Sequence, residues 1–266
     1  MLESLRQSTL GLYVRTIRIH ILSQLQYTGW VIGLLPSLVF CLTDPLDALL
    51  MLDRFGSIGG WTGSQILLLY AMALLSFGLT ELLARGFDYL PSLVRDGALD
   101  RVLLRPRSIF LQALTLRFHL NRLVRVITGG VLFGVTLAAQ GVALRASDVV
   151  LLSLTLFGGI LVYTGIFLIN SSISIFTVSP VELNIFTNGS YQVAKVPPQY
   201  LPGWLRSLFT MVMPMFLFTY YPAASVCGWD EPYVIGWLAL PVCAAFFAVC
   251  ALVFRLALRH YKSTGS

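Results

Sequence analysis

Residues 94–108 read VRDGALDRVLLRPRS and place four arginines and two aspartates in fifteen positions of a chain whose charged fraction is only 11%. Guanidinium and carboxylate groups at this density can pair with each other, grip phosphate, or dock on a protein. Internal pairing fails on spacing. Arg95 has Ala98 and Leu99 three and four residues ahead, Asp100 has Leu103 and Leu104, and Arg101 has Leu104 and Arg105. No acid meets a base at the separations that support a lone helix. Leu99, Val102 and Leu103 share one helical face, Pro106 ends the helix, and Asp96 or Gly97 can begin it. Two uses fit: a solvated loop whose arginines hold lipid phosphates, or a short amphipathic helix seated in a cleft of a soluble partner.

Other reactive arrangements are missing from the sequence. There is no G-x-x-x-x-G-K-[ST] loop to cradle a nucleotide, and neither of the two lysines, Lys195 and Lys262, follows a glycine-rich turn. There is no HExxH pair and no nucleophile elbow. His20, His119 and His260 stand apart from one another. Glu81 is the single acid expected near the interior of an apolar segment, which leaves a proton relay no stepping stones. The four cysteines form no CxxC pair. Cys243 and Cys250 read as buried small hydrophobes, and a bridge between Cys41 and Cys227 stays open.

The elements that must carry the loop are membrane spans. With 57% hydrophobic residues and a mean hydropathy of +0.80, the 266-residue chain is far more apolar than a soluble domain, which carries about a quarter charged residues. Six stretches approach the roughly 20 residues a spanning helix needs: about 24–42, 64–82, 123–143, 149–169, 205–225 and 234–254. The fold class expected is all-α, a single transmembrane domain over 1–266. No ten-residue alternating strands point to a barrel. Threading these spans from a cytosolic N-terminus puts 16 of the 18 positive residues inside, with Arg54 and Arg145 outside. That asymmetry predicts cytosolic termini and explains the basic pI as topology, with no nucleic-acid partner.

Leu10, Val14, Ile17 and Ile21 recur at helical spacing with Arg15 and Arg18 off the stripe. The spacing predicts an amphipathic interfacial helix over 1–22, and a basic extension of the first span is the alternative. Arginines interrupt the first twenty residues, so no cleavable leader is expected there. Ser179-Pro180 with Glu182 predicts the start of a short inner helix that Asn188-Gly189 stops. Pro36, Pro214 and Pro241 predict kinks in spans one, five and six. Gly29/Gly33 and Gly130/Gly134 would allow close helix approach.

The pattern Arg95-Asp-Gly-x-Leu-Asp-Arg-x-Leu-Leu-Arg-Pro106, with the later YLPGWLRSLFTMVMPMFLFTYYPA at 200–223, resembles the ABC-2 type permeases, in the bacterial subgroup with a GxLDxxLLRP inner loop. The resemblance extends over nearly the whole chain. It implies a type V exporter transmembrane domain in a bacterial cytoplasmic membrane. Two permeases, alike or different, would pair with a dimer of separately encoded ABC ATPases. This chain would bind no cofactor itself, and ATP and Mg would sit on the partner. Gly97, Leu99, Asp100, Arg101, Leu104, Arg105 and Pro106, within an inner loop over 84–108, would form the coupling helix that meets the ATPase.

Polar residues in the spans, among them Tyr163, Asn170, Ser171, Thr219 and Tyr220, either line a translocation path or tie helices together. The aromatics around them suit an amphipathic or lipid-like cargo (drug, peptide, lipid or glycan). A membrane scaffold or assembly factor, or a channel or secondary carrier, remains the rival function.

Overall fold

A computed structural model describes residues 9–26, 29–55, 60–104, 108–177, 183–229 and 232–261. Among the described residues thirteen helices position the site. They are α1 (Thr9–Leu25), α2 (Leu34–Phe55, preceded by one turn at Gly29–Ile32), α3 (Gly63–Ala84), α4 (Gly86–Arg95), α5 (Leu99–Leu103), α6 (Ile109–Thr115) and α7 (Arg122–Ala139), followed by α8 (Ala146–Thr177), α9 (Leu183–Ala194), α10 (Gly203–Ser207), α11 (Met215–Phe218), α12 (Tyr220–Cys227) and α13 (Tyr233–His260). Helix is the conformation that lets an apolar segment satisfy its own backbone in lipid. Four helices, α3, α7, α8 and α13, are individually long and apolar enough to cross a membrane.

The bundle has two ends. The near end holds α1, the loop helices α4 to α6 and the last turns of α8 and α13. The far end holds the starts of α3, α8 and α13. One core cluster spans the middle and near end through Phe77, Tyr163, Phe167, Phe87 and Phe254. A second fills the far half around Leu68, Leu69, Met72, Leu151, Leu152 and Phe216. At 32 residues α8 is about 48 Å long, and at 28 residues α13 is about 42 Å. Both exceed a hydrocarbon layer of about 30 Å. Their near ends, where Phe254 and Ser171 meet Phe87, form a stalk on which α4 is seated.

Helix α1 lies crosswise, with the axis of Tyr13–Leu25 at 86° to that of Gly29–Thr43. It is pinned by Tyr13 Oη donating to the Leu83 carbonyl (3.0 Å) and by Gln24 Oε1 accepting from the Leu120 N–H (2.9 Å). The geometry is that of the expected surface helix, but its packed stripe differs. Tyr13, Ile17, His20, Ile21 and Gln24 face the protein, whereas Val14 is 58% exposed. Residues 1–8 lie outside the described residues.

Several expected boundaries are corrected. The first span does not end at 42: α2 continues through Asp44 and Pro45 to Phe55, because a proline near the middle of a 22-residue helix removes a single backbone donor. The expected start at Ser179-Pro180 lies outside the described residues. Asn188-Gly189 does not stop α9, which runs on to Ala194 before Pro197. Gly130 and Gly134 face open space; it is Gly129, one residue away, whose added Cβ would fall 2.9 Å from the Leu75 backbone nitrogen of α3.

The largest correction concerns the fifth crossing. Thr187 accepts a hydrogen bond from Asn170 Nδ2 (2.7 Å) near the near end, Tyr191 stacks on Phe77 at 5.1 Å, and Lys195 Nζ sits 5.0 Å from the Tyr70 ring. Gln199 then lines a far-end pocket with Trp61, Gln65 and Tyr220. From the level of Glu81 to that of Gln65 on α3 is about 24 Å, so α9 and the segment after it climb the bundle. Residues 205–225 are not a continuous span. The helical path Gly203–Val212 and Met215–Cys227 bends by 66° at Met213-Pro214. Leu201, Cys227 and Trp229, at the two ends of this path, pack on the far-half cluster, and Phe209 and Tyr221 between them reach both clusters. The segment enters and leaves at the same end, as a re-entrant hairpin. Pro241, by contrast, lies inside an unbroken α13.

Candidate functional site

The charged loop hangs between α3 and α7. Gly86 opens α4 where no side chain fits, since a Cβ there would collide with the Ala113 carbonyl of α6. Phe87, Leu90 and Val94, three and four residues apart, are buried, so α4 lays an apolar stripe on the stalk. Ser171 Oγ donates to the Phe87 carbonyl at 2.6 Å. The Asp96-Gly97 pair, expected as a helix start, ends α4 instead. Ala98 N–H bonds the Leu93 carbonyl (2.9 Å), Gly97 N–H bonds the Val94 carbonyl (3.2 Å), and Gly97 takes φ +63°. This six-to-one plus five-to-two closure needs a left-handed residue, which glycine adopts at little cost.

The chain then starts α5 directly. Leu99 is 1% and Val102 7% exposed, so these two side chains anchor the helix to the body. Arg101 points outward, Asp100 is half-buried, and Leu104 is 83% exposed. Arg105 and Pro106 lie outside the described residues. Arg95 and Asp96 do pair (3.0 Å), but as adjacent, half-exposed side chains, a contact of little energetic weight. Arg117 stacks 3.6 Å over the Tyr89 ring and fixes the returning limb of the loop to α4. Beside it, His119 is held below the ordinary histidine pKa, first by burial and then by Arg117, Arg122, Arg85 and His20.

A second feature lies where the two ends of this loop enter the bundle, and it was not singled out from the sequence. Glu81 of α3 is 2% exposed and ion-paired with Arg85, with Arg122 (3.1 Å) and with Arg125. Arg125 is itself buried and lies 5.1 Å from the Phe77 ring. These groups line a cavity of about 360 Å³ with Pro36, Ser37, Phe40, Cys41, Phe167, Thr187 and Asn188. Charge counting alone reads Arg85, Arg122 and Arg125 only as inside-positive residues. The signal available was Glu81 and Arg85 at i,i+4, with two arginines three residues apart at the next span's start.

The proposed path residues do not form one lining. Tyr163 is fully buried between Phe77 (5.0 Å) and Phe218 (5.4 Å). Asn170 ties α8 to α9, Ser171 ties α8 to α4, and Thr219 Oγ1 bonds the Met215 carbonyl (3.0 Å) within the hairpin. Tyr220 lies at the far end against Trp61 (5.7 Å). Lys195, counted among the inner charges, is 1% exposed deep in the bundle, 4.0 Å from the Tyr191 ring. Arg206, flanked by Leu201 and Phe209, belongs to the far end. All four cysteines are free. Cys41 lines the near-end cavity and Cys227 the far-end hairpin, so these two cannot meet. Among the described residues no group of three or more His, Cys, Asp or Glu is placed to hold a metal.

Apolar helices carried to membrane length, a re-entrant hairpin and a seated charged loop define a multi-pass α-helical membrane protein. Residues 38–265 match a family model described as ABC-2 family transporter protein, and the chain belongs to that family. It is a membrane transport subunit rather than an enzyme, and the family implies association with an ABC ATPase. No curated protein and no solved structure matches the chain.

Proposed function

We propose that the chain is the membrane half of an ATP-driven exporter of amphipathic, lipid-like molecules. The near end faces the cytosol of a bacterial inner membrane, and two permeases pair over an ATPase dimer that holds the ATP and Mg. The observation that carries this reading is the construction of α5: Leu99 and Val102 are buried while Arg101 and Leu104 project outward. A five-residue helix cannot persist alone in water. Its anchoring supports a route for force applied to Arg101 and Leu104. It passes through α4 into the stalk of α8 and α13, and through the loop ends into Glu81 and Arg125.

ATP binding closes the paired motors and moves the docked loops. That movement is productive only when the contact differs in energy between the two motor states. Gly97, Asp100, Arg105 and Pro106 complete the docking segment. Asp148, which accepts a hydrogen bond from Tyr233 Oη (2.7 Å), locks the far ends of α8 and α13 together, so tilting is transmitted rather than absorbed.

The test is affinity purification from the native host followed by reconstitution. An ABC ATPase should co-purify, and Arg101→Glu should cut substrate-stimulated ATP hydrolysis at least tenfold while membrane insertion is unchanged. Full stimulation with Arg101→Glu would remove α5 from the coupling path.

A further inference from the structure

Glu81 and its three arginines do more than close a salt bridge, because they form the wall of a cavity. We propose that this cavity receives the oxyanion headgroup of an amphiphile, a phosphate or carboxylate carried on an apolar body. The inference rests on the permease reading above and assigns the cargo its chemistry.

Charge is the first argument. The lining side chains bring three guanidinium groups and one carboxylate. Whatever else each arginine touches, the described lining is net positive, and on its Glu81–Arg125 side, 2% and 10% exposed, an anion is held more strongly than at a surface. Arginine forks match the geometry of phosphate and carboxylate oxygens.

Shape is the second argument. The cavity has a polar side, with Ser37, Thr187 and Asn188, and an apolar side, with Pro36, Phe40, Phe77 and Phe167. Its volume of about 360 Å³ admits a headgroup rather than a whole lipid. Phe40 is 64% exposed and is flanked on α2 by Val39 at 58% and Leu35 at 69%. The apolar wall therefore continues out of the cavity onto the membrane-facing surface of α2, where an acyl chain or ring system can lie. Position is the third. The groups belong to the ends of α3 and α7 that carry the charged loop, so loop movement acts on the headgroup grip.

The experiment uses the full chain, without an ATPase, in phosphatidylcholine nanodiscs containing a minor fraction of phosphatidic acid. Lipid retained after detergent extraction is identified by mass spectrometry. A parallel arm measures maleimide labelling of Cys41, which lines the cavity, with and without inorganic phosphate. Retention of phosphatidic acid about tenfold above its bulk share, reduced about tenfold by Arg122→Gln, supports the site with a membrane source. Asn188→Phe, which fills the cavity mouth without touching the ion pairs, should give the same loss if Arg122→Gln misfolds. Arg259→Gln, on the exposed face of α13, should change nothing. Protection of Cys41 by inorganic phosphate without lipid enrichment supports a water-soluble source of the same oxyanion. Lipid retention in bulk proportion together with unprotected Cys41 overturns the proposal. Because no motor is present, that failure alongside ATPase co-purification discards only the headgroup, whereas a selective cavity with no co-purifying ATPase discards the permease pairing.

Discussion

Replacing Glu81 by glutamine tests whether the ionic cluster holds α3 to α7. The glutamate side chain is 2% exposed and that of Arg125 10%, so both have left water. Removing one partner of such a pair leaves an uncompensated buried charge, at a cost of about 3–5 kcal/mol. Arg85 and Arg122 keep about a quarter of their side-chain surface, 26% and 27%. They can turn toward solvent and add little to that cost. For a chain of this length each kcal/mol moves the melting point by about 2–4 °C, so Glu81→Gln should melt roughly 6–20 °C below the parent.

The chain carries its own probe. Cys243 and Cys250 are buried and free, so a thiol-reactive dye becomes fluorescent as the bundle opens. Half-buried Cys227 and cavity-lining Cys41 are replaced by serine to lower the background. The double variant Glu81→Gln with Arg125→Gln should recover a large part of the loss, because removing both partners strips out the unpaired charge. Glu81→Asp should fall between parent and glutamine. A melting point within about 2 °C of the parent for Glu81→Gln, or a double variant no better than the single one, would show that the cluster is solvated and the argument wrong.

Two further outcomes follow from the geometry. In a background free of native cysteines, Arg206→Cys and Arg259→Cys should react with an impermeant maleimide from opposite faces of sealed vesicles; labelling from one face would restore 205–225 as a full crossing. His119 makes stability pH-dependent: its native pKa lies below the unfolded value of about 6.5, so the unfolded chain binds the extra proton. Stability should hold above about pH 6.5 and fall as pH drops through that value toward the lower native one. His119→Gln should flatten the slope, and an unchanged profile in that variant would clear His119 of the effect.

The parts of this fold that were readable in the sequence are those governed by a single local property. Runs of apolar residues marked α3, α7, α8 and α13, because a helix that must satisfy its backbone in lipid has few alternatives. The Leu99–Val102 face of α5 was visible for the same reason. Hydropathy failed where depth and composition part company. Residues 205–225 are apolar enough to cross, yet Pro214 and the π turn before it fold them back. The segment that climbs instead, 183–200, buries Lys195, Pro197 and Pro198, whose neighbours are protein rather than lipid, and these residues interrupt the apolar run. Tyr70 and Tyr191 give Lys195 the cation–π contacts that lipid could not. The Glu81 cluster was missed by a related route. Positive-inside counting treats every near-end arginine as facing water or headgroups, yet three of them face Glu81: Arg85 from the end of the same helix, and Arg122 and Arg125 from α7. Counting charge gives the orientation of a membrane chain, but it takes the packing of α3 on α7, through Gly129 at Leu75, to show which of those charges are turned inward to do chemistry.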